Sequence, residues 1–243
     1  MIKNGTAFGF GVFLALIFFG LLVLIFSPVI KGRNGLQFAD DSFNRLAKGS
    51  SYFVPKVSES AEKFIGKKLN LTVKFDEKDK KDRTVDLNAV SRVFTMAGAQ
   101  VEVGKDTGKV IIKGDLGKIL MSAVSDSDSM YKNNGEAVSA RYGVDEKTVM
   151  RAWWGVLNKA DKQLKKDRLL SESKIVGEIN RKAVEPAYNF YGIEAQRVSE
   201  HAGLLTMLLV FYIFYTLLWG YAIYLLFNGL GLTMKKAKVK TEV

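Results

Sequence analysis

The sequence predicts a membrane-anchored α+β protein: two terminal transmembrane helices flank a mostly helical soluble domain containing a small three-stranded split-βαβ (ferredoxin-like) unit. Three observations predict it. No Asp, Glu, Lys, Arg or His occurs from Asn4 to Ile30 or from Ala202 to Met234, and a helix needs about 20 apolar residues to cross the hydrocarbon core of a bilayer. Between these stretches residues 31–201 are charged, with 31 Lys and Arg against 24 Asp and Glu. Within that middle, residues 69–125 alternate between a period of two and a period near 3.6, in the order strand, helix, strand, strand, helix.

Residues 1–30 read as a short tail and a signal anchor. The apolar core Ala7–Phe26 is longer than the about 7 to 15 residues of a signal-peptide core. Ser27-Pro28-Val29-Ile30-Lys31 offers no small-x-small cleavage site. At the other end, residues 202–234 form the second span and 235–243 a basic tail with Lys235, Lys236, Lys238 and Lys240. Short Lys-rich tails favour the cytoplasm, whereas Lys31 and Arg33 against a lone Lys3 pull the other way. Long loops cross largely regardless of charge, so the tail decides. The expectation is a bacterial inner-membrane protein with both termini cytoplasmic and residues 31–201 periplasmic.

Inside the domain, Phe43, Leu46, Ala47, Ser50 and Phe53 fall at helical spacing over Asp40–Phe53, with Gly49 as a weak point and Pro55 as the stop. A second helix is expected over Ser58–Lys67, capped by Ser58. Leu69–Phe75 alternates as a half-buried strand, and Asp76–Arg83 is a charged loop. Leu87, Val90, Val93, Phe94 and Ala97 mark a helix capped near Thr84 or Asp86 and closed by Gly98. Short strands at 99–103 and 109–113 are joined by a Gly104–Gly108 connection, and Gly114-Asp115 leads into a helix carrying Leu116, Ile119, Leu120, Ala123 and Val124.

Residues 136–201 are expected to be helical: Glu136–Tyr142 closed by Gly143, Asp145–Asp167 with Val149, Trp153, Val156, Ala160 and Leu164 on its buried stripe, and Leu170–Ala183. Pro186 kinks or breaks that last helix. From Ala187 a stalk helix is expected to run into the second span.

There is no cysteine, and His201 is the single histidine. That excludes disulfides, thiolate zinc sites, iron–sulfur clusters and bis-histidine haem within one chain. No cofactor is expected. The net charge of +11 is spread among acids rather than gathered in a basic stripe, so nucleic acid is not an expected partner. The expected partners are the bilayer and other membrane subunits or a second copy.

The one carboxylate cluster is Ser125-Asp126-Ser127-Asp128-Ser129. Asp126 and Asp128 are weak metal candidates, because an EF-hand loop starting at Asp126 needs Asp or Asn at 130 and Glu at 137, where the chain has Met130 and Ala137. On a helix the two would point far apart, and a polar helix surface is expected. Trp153 fits the buried stripe, which leaves its neighbour Trp154 partly exposed and available to a partner. His201, beside Glu200 at the start of the second span, is a candidate interaction residue, read either as a proton relay or quinone-headgroup contact or as a polar anchor at the helix end. Tyr212, Tyr215 and Trp219 share one face of that span, and the Tyr215 hydroxyl near its middle needs a hydrogen-bond partner. Gly5 and Gly9 form a GxxxG pair, with Gly11 and Gly20 further along, suited to close helix approach within the chain or with neighbours.

These features lead to the expectation of a non-catalytic accessory or scaffold subunit of a membrane complex. Two alternatives are a ligand-binding or sensory module, and a hydrolase built on Asp115, Asp126 or Asp128. The layout, a domain held between terminal spans, is similar to that of bacterial polysaccharide chain-length regulators, though the chain lacks their longer coiled-coil region and shares no motif with them.

Overall fold

A computed structural model of the chain describes residues 2–75, 85–104 and 107–232. It is mostly helical, with one three-stranded antiparallel sheet and two long apolar helices. Residues 44–196 form one compact unit, and the described residues before and after them form another. The expected charged loop from Asp76, the middle of the 104–108 connection and the Lys-rich tail fall outside the described residues.

Helix α1 (Gly5–Phe26) starts where Asn4 accepts the Ala7 N–H. After it, Ile30 and Arg33 exchange two backbone hydrogen bonds of 3.0 and 2.9 Å across Lys31 and Gly32, both at positive φ. This is a two-residue reversal of the I′ kind. Helix α2 (Gly35–Ser50) begins at once, five residues before the expected start. Asn34 and Gln37 cap each other's backbone N–H at 2.8 and 3.0 Å, a reciprocal box that the apolar spacing alone does not show. Helix α3 (Val54–Glu62) replaces the expected Ser58–Lys67 helix. Pro55 sits in its first turn, where a missing N–H costs nothing and the fixed φ suits the helix.

The sheet joins β1 (Lys68–Lys74), β2 (Gln100–Gly104) and β3 (Lys109–Asp115), with α4 (Leu87–Met96) between the first two. The order is β1-β3-β2, both outer strands antiparallel to β3. Leu71 lies opposite Ile112 and Val73 opposite Val110, so the alternation in sequence becomes one buried face. Asp86 caps α4 through the Asn88 N–H at 2.9 Å. Thr84 itself lies outside the described residues.

Helix α5 (Leu116–Tyr131) is capped by Asp115, and α6 (Gly135–Tyr142) ends on Gly143 in the left-handed region. Helix α7 (Glu146–Lys166) buries Val149, Trp153, Val156, Ala160 and Leu164 as its period requires. Next, α8 (Leu170–Ile179) passes through a π-turn over Asn180–Val184 into α9 (Glu185–Asn189). Pro186 accounts for the π-turn: it has no N–H to give, and its ring would strike the carbonyl four residues back. The widened turn, in which Glu185 N–H bonds the Asn180 carbonyl, lets the helix absorb the proline.

The stalk helix does not form. The helix stops at Asn189, Gly192 takes φ +83, and the chain runs irregularly to a 3-10 turn at Val198–His201 before α10 (Ala202–Leu230). Helical periodicity from Ala187 onward was outweighed by carbonyls drawn into a polar knot around Lys48.

Candidate functional site

Asp126 is not on a polar surface. It is fully buried in α5, and its two oxygens accept from Arg141 Nη1 (2.5 Å), Tyr142 Oη (2.7 Å) and Trp153 Nε1 (2.9 Å). The sequence did hold the signal: Asp126 lies seven residues after Ile119 and four before Met130, on the apolar stripe rather than off it. Burial raises its carboxyl pKa above the ordinary range, and the three donors pull downward without cancelling that. Burial and the facing carboxylate also raise the Tyr142 phenol. Asp128, by contrast, faces outward, accepting the Tyr52 hydroxyl at 2.7 Å and pairing with Lys132 at 2.7 Å. The pair shares no site. Asp115 is taken up by capping, accepting the N–H of Lys118 (3.1 Å) and Gly66 (2.8 Å). No group of three or more His, Asp or Glu suited to a metal occurs among the described residues.

A second buried charge had no sequence signal. Lys48, 2% exposed, donates to Asn133 Oδ1 (2.9 Å) and to the carbonyls of Phe190 (3.0 Å) and Ile193 (2.5 Å). Those three acceptors use all three N–H bonds of an ammonium, leaving no lone pair for attack. Asn133, at positive φ, also donates to Ile193 and accepts from the Gly192 N–H. Tyr131 closes the knot with its hydroxyl on the Lys48 carbonyl and its ring 5.2 Å from Nζ. Burial lowers the Lys48 pKa. The knot fastens residues 190–196 to α2, and Gly49 permits it, since a Cβ there would run into the Gln196 carbonyl.

A cleft of about 320 Å³ in this unit is lined by Met150, Arg151, Trp154, Val184, Glu185, Tyr188 and Asn189. Trp154 is half-buried, and its indole N–H donates to Glu185 Oε1 at 3.0 Å. The π-turn ends at Val184, so the distortion forced by Pro186 sets the cleft wall. Arg151 is drawn toward Thr148 Oγ1 (3.0 Å) and Asp145 (3.9 Å).

In the other unit, α1 and α10 pack side by side. Phe18 stacks on Tyr215 (4.4 Å) and on Trp219 (4.5 Å). The Tyr215 hydroxyl is buried without a hydrogen-bond partner, while Tyr212 is exposed. Tyr212 therefore does not share the α1-facing side with the other two. A Cβ added at Gly5 or Gly9 would meet nothing within 4 Å beyond its own helix. The close approaches are at Gly11, where a Cβ would lie 2.8 Å from Leu226 N, and at Gly229, where it would lie 2.6 Å from Phe8 Cβ. His201 ends the 3-10 turn and precedes α10.

Comparison with protein-family models, curated proteins and solved structures gives no match for this chain. The site must be read from its own geometry.

Proposed function

We propose that the chain is a non-catalytic, membrane-anchored accessory subunit that holds a partner protein through the Trp154 cleft. The observation that carries this reading is the cleft itself: an aromatic pair, Trp154 and Tyr188, opening on a mostly apolar hollow with one carboxylate and one guanidinium at its edges. Trp, Tyr and Arg are the residues that dominate binding energy at protein interfaces. Two buried titratable groups, Asp126 and Lys48, are saturated by protein partners, which favours a structural role for both.

Anchoring is supported by the two helices long and apolar enough to cross a membrane, and by their mutual aromatic packing. Two crossings put both chain ends on one face and the domain on the other, and the Lys-rich tail favours the cytoplasm for the ends. The βαββα segment reads as a split-βαβ unit of the ferredoxin-like kind without its last strand, a reading supported by the β1-β3-β2 order.

The test is site-specific photo-crosslinking in native membranes, with benzoylphenylalanine at Tyr188 and, as a control, at Met96. A discrete adduct from position 188 alone supports the reading. Adducts from neither position, together with thermal stabilisation by a small metabolite, would transfer the cleft to the ligand-binding alternative.

A further inference from the structure

We infer that the first turns of α2 lie in the headgroup–acyl boundary of the bilayer, with Leu36 and Phe43 inserted among the lipid chains. This rests on the membrane-anchored reading above, and it adds a surface that no apolar span contains. Two observations carry it. Leu36 and Phe43 are 52% and 50% exposed although both are large and apolar. Seven residues apart on a helix, they point the same way within about 20°.

The second observation fixes the depth at which this stripe begins. The Lys31-Gly32 reversal brings the chain back so that Gly35 packs against the last turn of α1: a Cβ on Gly35 would lie 3.2 Å from the Ile25 carbonyl oxygen. Ile25 belongs to the apolar α1 helix itself. Leu36 therefore leaves the reversal at the level where a span meets the headgroups, and that zone is the occupant of its exposed face. The charges agree with this placement. Lys31 and Arg33 stand at the reversal, where phosphates lie, and Arg33 pairs with Asp41. Asp40 is exposed and borders the stripe, about 40° round the helix from Leu36, where a carboxylate reaches the hydrated headgroups.

The chain contains no cysteine, so single-cysteine variants of the full chain report one position each. Leu16→Cys, Leu36→Cys, Gln37→Cys and Phe43→Cys, each labelled with an environment-sensitive fluorophore, are reconstituted in phosphatidylcholine–phosphatidylglycerol vesicles containing doxyl-labelled lipid. The expected result is blue-shifted emission with loss of intensity to the doxyl lipid at 16, 36 and 43, and water-like emission at 37. Water-like emission at 36 and 43, with position 16 still in lipid, would overturn this inference and leave the anchoring intact. Water-like emission at all four would overturn the anchoring as well.

Discussion

Trp153 and Asp126, 27 residues apart in sequence, meet in the core: the indole Nε1 donates to Asp126 Oδ2 at 2.9 Å, and both side chains are fully buried. With Tyr142 and Arg141 on the same carboxylate, this one group ties α5, α6 and α7 together. A buried charge satisfied this way is costly to disturb, because removing one partner strands the others.

Asp126→Asn replaces one acceptor oxygen with an NH₂ that faces either the Arg141 donor or the Tyr142 and Trp153 donors. It is expected to destabilise the protein by about 3 kcal/mol, whereas Asp128→Asn on the surface stays within about 0.5 kcal/mol. Thermal unfolding of the full chain in mild detergent measures both. Equal effects from the two would show that the core tie contributes little.

Lys48→Met removes the charged donor shared by Asn133 Oδ1 and the carbonyls of Phe190 and Ile193, leaving each with its one backbone or amide donor. The expected cost is about 2 to 3 kcal/mol, with faster amide hydrogen exchange confined to residues 190–196. Unchanged exchange there would remove the knot as the reason the helix ends at Asn189.

Glu172, nearly buried, pairs with Lys67 at 2.7 Å, and that hydrogen bond lowers its carboxyl pKa. A depressed folded-state value means the pair's stabilisation is present above the ordinary carboxyl pKa and is lost as pH falls through the lowered one. Because Lys67 is half exposed, the contribution is about 0.5 kcal/mol after solvent screening. An acid-unfolding series should therefore show a shallower loss of stability for Glu172→Gln than for the parent below the ordinary carboxyl range. Parallel curves would contradict the pairing.

Much of this was legible in the sequence, and the misses have physical causes. The apolar stretches, the strand alternation and the buried stripe of α7 are periodic signals spread over many residues, so they survive local noise. Lys48 and Arg141 carry no such signal, since a cation paired across 85 or 15 residues looks like any surface cation. Asp126 was readable by its place on an apolar stripe, but the neighbouring serines made it look like a polar surface. The GxxxG spacing at Gly5 and Gly9 does not say which face of α1 turns to α10. Gly11 lies on that face and they do not.

That last difference is directly measurable. Gly11→Val is expected to weaken α1–α10 packing by about 1 to 3 kcal/mol, since its added atoms meet the Leu226 backbone. Gly5→Val and Gly9→Val leave the detergent melting temperature unchanged. Equal losses from all three would place the helix contact elsewhere.

The account stands most directly on whether the chain has a partner at the Trp154 cleft. Native mass spectrometry of the full-length protein, taken from its own membranes in lipid nanodiscs, reads this in one step. The prediction is a discrete complex with a second protein that is lost for Trp154→Ala, while the variant keeps the parent's melting temperature within a few degrees. A strictly monomeric parent with no co-purifying protein, or a complex indifferent to Trp154→Ala, would contradict it.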